Sequence, residues 1–346
     1  MKWLIQAPHD WERAWLGGSW SPELCDAAWT AVDAYPSARN LYLALRVQHA
    51  ISGLKQHHLD YTYHLVGTLK NPWRPVTLRL LCANLQRRNT ETADALIDQF
   101  LQGPITPLRA YLLSGFPLAL VYLLEKQPER FSKKLRKLAE DALDLKCRSQ
   151  QMSMAFMQSL AIEQNKSCTV AVVGNGPGVL ERRDGAFIDD HDVVVRFNAA
   201  AITSAYQPHV GNKTDLWVVS PALPASEKDL PAKAIAISGI NPFAGRSKYW
   251  RTVRSRRIST IAQFSADHWY ELVNELAAPP SAGILLLKSL ARYNSRLEIN
   301  IFGFSRPVDL ASQTPGAHYS DSRRGSTRHN WHSEAHLLER LISIHR

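Results

Sequence analysis

From about Ala38 to Gln164 apolar residues recur at spacings of three and four, the pattern of helices with one buried stripe. Pro72, Pro75, Pro104, Pro107 and Pro128 punctuate it where helices are expected to start. Thr90 to Leu101 reads as one helix, with Thr90 as N-cap and acidic residues in the first turns. The longest apolar stretch, Tyr111 to Leu124, contains Ser114, Gly115 and Pro117. It is shorter than the about 20 residues a membrane span needs, so a buried helix is expected. No fixed repeat period emerges. After Ser167 the texture changes to short β-branched runs: Thr169–Val173, Asp192–Phe197, Leu216–Val219, Ala234–Ser238 and Leu297–Phe302. Helical patterns and Gly/Asn/Pro turns separate them, which predicts an open α/β sheet. Two domains follow: a helical one over 1–164, of no evident role, and an α/β one over 165–346. In such a sheet ligands bind beyond the carboxyl ends of the strands.

Composition narrows this only partly. With 346 residues, 45% of them hydrophobic, the chain can bury a core in each domain. The first residues carry only the apolar run Trp3-Leu4-Ile5, which is no secretory signal, so a cytoplasmic setting is expected. Cys25, Cys82, Cys147 and Cys168 have no metal-ligand spacing and read as free, mostly buried thiols. The formal charge of +10 gathers in two stretches, Lys126–Lys137 and Arg246–Arg257. The first has helical spacing and reads as a solvated face. The second interleaves arginines with Tyr249 and Trp250 and suits an anionic ligand or the inner face of a membrane. Nucleic acid would rest on these stretches alone and is not an expected partner.

The chemistry begins where the first strand stops, at Gly174-Asn175-Gly176-Pro177-Gly178. Its spacing is neither a dinucleotide fingerprint nor a P-loop. Such a turn alone is compatible with a purely structural role. More specific is the stretch Ile188-Asp189-Asp190-His191-Asp192 leading through a second strand to Arg196-Phe197-Asn198, with Gly211-Asn212-Lys213-Thr214 beyond. Pro280-Ser281-Ala282-Gly283 precedes Ile299 to Phe304, His318-Tyr319-Ser320-Asp321 follows, and His329 is trailed five residues later by Glu334. These blocks, in this order, resemble the long, short, third and very short motifs of the sialyltransferases, glycosyltransferase family 29. The resemblance does not reach the helical half.

Asn175 and Asn198 end adjacent expected strands, and their amides can both donate and accept. The Ser281-Ala282-Gly283 turn opens a helix, so its N–H groups and dipole would face an anion. The resemblance assigns Asn175, Gly176, Asn198, Ser281, Ala282 and Gly283 to the nucleotide of a CMP-sugar donor. It makes His318 the residue that meets the departing phosphate and His329 the general base. It also implies a modified Rossmann-like sheet of the glycosyltransferase-A kind, preceded by the all-α domain. The implied reaction is inverting transfer of an acidic 2-keto sugar to a glycan or glycolipid hydroxyl, with no cofactor and no metal. Two alternatives stay open: a CMP-Kdo transferase of a bacterial envelope glycan such as lipopolysaccharide, and a non-catalytic nucleotide- or glycan-binding protein. Asp190 and Asp192 precede their strand and are expected to brace the turn, and HxExH at His332–His336 is not a zinc-protease spacing. The animal members' disulfide between the long and short motifs has no counterpart, and Ala282 replaces their Thr or Ser. Glu334 is expected to orient its own helix start through capping contacts.

Overall fold

Among the described residues seven strands, all parallel, form one sheet in the order β1-β6-β5-β4-β3-β2-β7. They are β1 (Ser149–Gln151), β2 (Cys168–Val173), β3 (Val193–Phe197), β4 (Leu216–Val219), β5 (Ala234–Ile237), β6 (Thr260–Gln263) and β7 (Leu297–Phe302). The computed structural model describes residues 10–68, 74–86, 90–101, 105–106, 110, 112–113, 116–161, 168–220, 230–239, 260–291, 297–305, 318–320 and 328–343. Each of the five expected runs is a strand. The inner strands β3, β4 and β5 are buried throughout, as parallel strands covered on both faces must be, and so their apolar runs are continuous. β1 and β6 were not expected. Ser149-Gln150-Gln151 is polar and lies at the sheet edge, where no apolar signal is required.

Backbone packing divides the chain after Cys147, ahead of the expected boundary at Asn165, because β1 already pairs with β6. The first unit is mainly Met1–Cys147 and the second begins at Arg148. In the first unit the described helices include Asp10–Leu16, Pro22–Ala34, Ala38–Ile51, Gln56–Thr68, Arg74–Gln86, Thr90–Leu101, Pro117–Lys126 and Lys133–Cys147. Ser37 caps the third by accepting from Asn40 N at 3.1 Å. Thr90 stands inside its helix as the first residue. Leu120 and Leu123 are buried, in keeping with a core helix after Pro117, and among the described residues no helix is long and apolar enough to cross a membrane. Lys133, Lys134, Arg136 and Lys137 are exposed while Leu135 and Ala139 are buried, so that stretch is a solvated face. Arg246–Arg257 lies outside the described residues.

Locks at the amino edge of the sheet set the strands' register. Asp192 accepts from Thr169 N and Oγ1 at 2.8 and 2.9 Å, tying β3 to β2. Asp215 accepts from Val194 N at 2.8 Å and pairs with Lys233 at 2.8 Å. His191 donates from Nδ1 to the Phe187 carbonyl at 2.8 Å and meets Asn300 Nδ2 through Nε2 at 3.0 Å. The Asp-His-Asp stretch therefore braces the edge opposite the strands' carboxyl ends.

Arg196, on β3, is fully buried. Its guanidinium donates to the carbonyls of Lys213 and Val210 at 2.9 and 2.6 Å and to Thr214 Oγ1 at 3.1 Å. Asp189 stands 4.0 Å away and itself accepts from the N–H groups of Asn212 and Lys213 at 2.8 to 2.9 Å. Burial lowers the pKa of Arg196, and Tyr319 and Asp189 oppose that shift. Asp189, Arg196 and Gly211–Thr214 are thus one latch.

At the carboxyl edge the chain runs outward from β2 through β6, then returns with β7 to the other side of β2. That reversal is where open α/β sheets leave a crevice. The turns after β2 and β7 touch through backbone. Gly176 N donates to Gly303 O at 2.9 Å, and a Cβ on Gly174 or Gly176 would lie 2.6 Å from that oxygen. Gly303 itself has φ of 66°, the left-handed region that glycine occupies without strain. Gly174→Ala is expected to lower stability by about 1–3 kcal/mol, the usual cost of overpacking. Urea denaturation measures it, and an unchanged midpoint would show that the two turns part freely.

Candidate active site

Two polar groupings stand beyond the carboxyl ends of the strands. The first surrounds β2 and β3. Asn175 Nδ2 donates to Phe197 O at 3.0 Å, and its Oδ1 is buried without a hydrogen-bond partner among the described residues. Asn198 adopts φ of 48°, a conformation asparagine tolerates, and its Oδ1 accepts from Ser220 N at 2.7 Å. Its side chain therefore braces the end of β4, leaving the amide N–H groups as what it can offer a ligand. The segment His318–Ser320 joins this grouping, since Tyr319 N donates to Asn175 O at 2.8 Å. Tyr319 is anchored by its hydroxyl on Ala201 O at 2.7 Å and by an edge-on contact with Tyr206. His318, immediately before it, is half-buried.

The second grouping is built where two helices start, Ala282–Leu290 and Trp331–Ser343. Ser281 caps the first, its Oγ accepting from Ile284 N at 3.3 Å. Gly283 is packed under Phe304, for a Cβ there would come within 2.5 Å of the ring. Phe304 also lies against Gly174 and meets Phe197 edge-on at 6.0 Å, so one ring spans the β2 turn and this helix start. Gly283 and Gly174 are small because an aromatic ring needs the space, a use of glycine the sequence does not reveal.

His329 is half-buried and its Nδ1 lies 2.8 Å from the Pro279 carbonyl. A carbonyl only accepts, so Nδ1 carries the proton and Nε2 keeps its lone pair. Burial lowers the pKa of the ring below its ordinary value. The Pro279 bond opposes this and Arg328 adds to it. A neutral imidazole with one free basic nitrogen is the result. Trp331 meets it edge-on at 5.1 Å.

Glu334 does not cap its own helix. Asn330 does, its Oδ1 accepting from Ser333 N at 3.2 Å. The Glu334 carboxylate crosses instead to the other helix and accepts from Ser281 N at 2.7 Å. Burial pushes its pKa up to about 7 despite that bond. His332 and His336 are exposed, and among the described residues no group of three or more His, Cys, Asp or Glu is placed to hold a metal ion. None of the four cysteines forms a disulfide, and Cys147 is the exposed one. Pro279 was not singled out from the sequence, and Gly303 and Phe304 stood there only as the end of the Ile299–Phe304 block, with no role given to them. The Pro279-Pro280 pair just before the Ser281 turn was the available signal.

Fold and site together define a parallel α/β protein whose polar groups gather at the strand-order reversal. Residues 122–238 match the model of glycosyltransferase family 29 (sialyltransferase). That span holds the turn after β2 and the Ile188–Asn198 stretch but ends before Ser281. A beta-galactoside alpha-2,6-sialyltransferase 2 of Xenopus tropicalis is 46% identical over 52 residues, which is 15% of this chain and 10% of that relative's length. A mammalian sialyltransferase crystallised with Gal-beta-1-3GalNAc-ortho-nitrophenol is 18% identical, with a TM-score of 0.43, over 70% of this chain and 86% of that one. A second mammalian sialyltransferase structure gives 18% identity and a TM-score of 0.39 over 62% and 84% of the two chains. The family match and the curated relative are thus similarities over part of the chain, to the same family that the sequence blocks resemble.

Proposed function

We propose that this chain is an inverting glycosyltransferase that moves an acidic 2-keto sugar of the sialic acid type from a CMP-activated donor to a hydroxyl of a glycan or glycolipid. The single observation that carries this reading is His329, neutral and with Nε2 free because Nδ1–H is spent on Pro279. In the proposed step the acceptor O–H gives its proton to Nε2. The oxygen bonds to the anomeric carbon while the bond to the CMP phosphate oxygen breaks on the opposite face, and CMP leaves with that electron pair. The start of the Ala282–Leu290 helix and His318 receive its charge, which a single phosphate allows without a divalent ion. Asn175 supports the nucleotide's place, since a buried unpaired Oδ1 wants a donor such as the amine of cytosine. On this reading the sheet serves as a modified Rossmann-like nucleotide platform. The exposed basic residues at Lys133–Lys137 support contact of the protein with an anionic membrane surface that carries the acceptor, on the cytoplasmic side.

The test is CMP release and glycan transfer with CMP-sialic acid and CMP-Kdo offered separately, each with and without a chelator. The expected result is release from CMP-sialic acid, undiminished by chelation. Release from CMP-Kdo alone would keep the chemistry and replace the sugar. CMP binding without release from either donor would make the protein a non-catalytic binder. A large loss on chelation restored by Mg²⁺ or Mn²⁺ would overturn the metal-free step.

A further inference from the structure

The tripeptide Pro279-Pro280-Ser281 has one backbone N–H, because proline has none. Glu334 takes it, Oε1 accepting from Ser281 N at 2.7 Å. At the tripeptide's other end the Pro279 carbonyl accepts from His329 Nδ1 at 2.8 Å. Both prolines are buried and their φ is fixed by the ring, so the tripeptide is a stiff strut gripped at both ends. The two grips come from one short stretch, and Asn330 sets the spacing between them. Its carbonyl accepts from Glu334 N at 2.9 Å and its Oδ1 from Ser333 N at 3.2 Å.

Neither helix needs Glu334 as a simple cap. Asn330 already closes the start of Trp331–Ser343, and the Ser281 hydroxyl closes that of Ala282–Leu290. What the latter lacks is the acidic partner of a capping box, because its third position is Ile284. Glu334 supplies that partner from a different helix, at the expense of holding a carboxyl only 5% exposed. We infer, on the reading that His329 is the base, that Glu334 is a positioning residue which acts through Ser281 and the proline strut to fix the tautomer and direction of the His329 ring.

The test reads the ring directly, from imidazole ¹⁵N shifts of the full chain labelled at histidine, with His329→Gln identifying the signal. In the native protein the proton sits on Nδ1. Glu334→Ala is expected to release the strut and return the ring to the Nε2–H form that free imidazole prefers. It should lower kcat about 10- to 100-fold, the effect of slight misplacement of a reacting group, and change the donor KM much less. Glu334→Gln keeps an oxygen that can accept the same N–H, so tautomer and kcat should stay native within about threefold. Glu334→Ala with the native tautomer and native kcat would overturn the inference. So would a Gln variant as slow as Ala while its ring keeps Nδ1–H, because the carboxyl would then be handling protons. Should the Ala variant fail to fold, Glu334→Asp replaces it: one methylene short, it is expected to lose the native tautomer, and keeping it would overturn the inference. The tautomer is read without substrate, so its failure is distinct from failure of the functional reading, which CMP release decides.

Discussion

His329→Ala is expected to lower turnover by about 10²–10⁴-fold while leaving CMP affinity near native. The lost interaction is made with the acceptor proton in the transition state, and the Pro279 carbonyl that held the ring is left to water or to a small backbone shift. His318→Ala should differ, weakening CMP binding as well as slowing transfer, because His318 belongs to the Asn175 grouping rather than to the base. The pH profile gives an independent check. His329 acts neutral and its pKa lies below the ordinary 6.5, so kcat/KM should hold as pH falls to 6.5 and drop only below it. Near-native transfer by His329→Ala, or an acid limb centred above 6.5, would move the base elsewhere.

Arg196→Met is expected to cost about 3–5 kcal/mol of stability, a large fraction of what a domain possesses. Methionine fills much of the space but donates nothing. The carbonyls of Val210 and Lys213 would then be buried without their guanidinium partner, and Asp189 would lose its nearest cation. Arg196→Lys should be nearly as damaging. An ammonium cannot reproduce the planar fork that meets Lys213, Thr214 and Val210 together. Urea midpoints would measure both, and a native midpoint in either variant would mean the latch contributes little.

Four of the strands legible in the sequence, β2 to β5, have apolar runs because they are covered on both faces, and burial writes itself into residue type, whereas β7, at an edge, was legible from its alternating Leu297-Glu-Ile-Asn-Ile run. β1 and β6 were illegible for the converse reason. Ser149-Gln-Gln and Thr260-Ile-Ala-Gln lie at or next to an edge and need few apolar residues. The missed β1 is also why the helical region was expected to extend to Gln164. For the site, motif spacing pointed to the residues but not to their partners. Asn198 and Asn175 look alike in the sequence, yet one oxygen is spent on Ser220 and the other is left open. Asp192 was legible as a brace because it precedes its strand. Glu334 was not, because its partner stands 53 residues earlier in the chain. Pairings over such distances are written in the fold alone.

The contact of the β2 and β7 turns also constrains how the protein comes into being. β2 is the first strand of the sheet's inner part to be synthesised and β7 the last of the described strands, and they are neighbours. A nascent chain that has emerged only as far as β6 can pair β2 to β5 in sequence, each strand beside the one before it. It still lacks Gly303 and Phe304, so the crevice has no second wall and the β2 turn nothing to rest on. Closing a loop that long is slow, and until it closes, β2 presents an unpaired apolar edge. Chaperone demand during synthesis should therefore peak just before β7 leaves the ribosome. Truncation anywhere upstream of Leu297 should yield aggregates rather than a smaller folded protein.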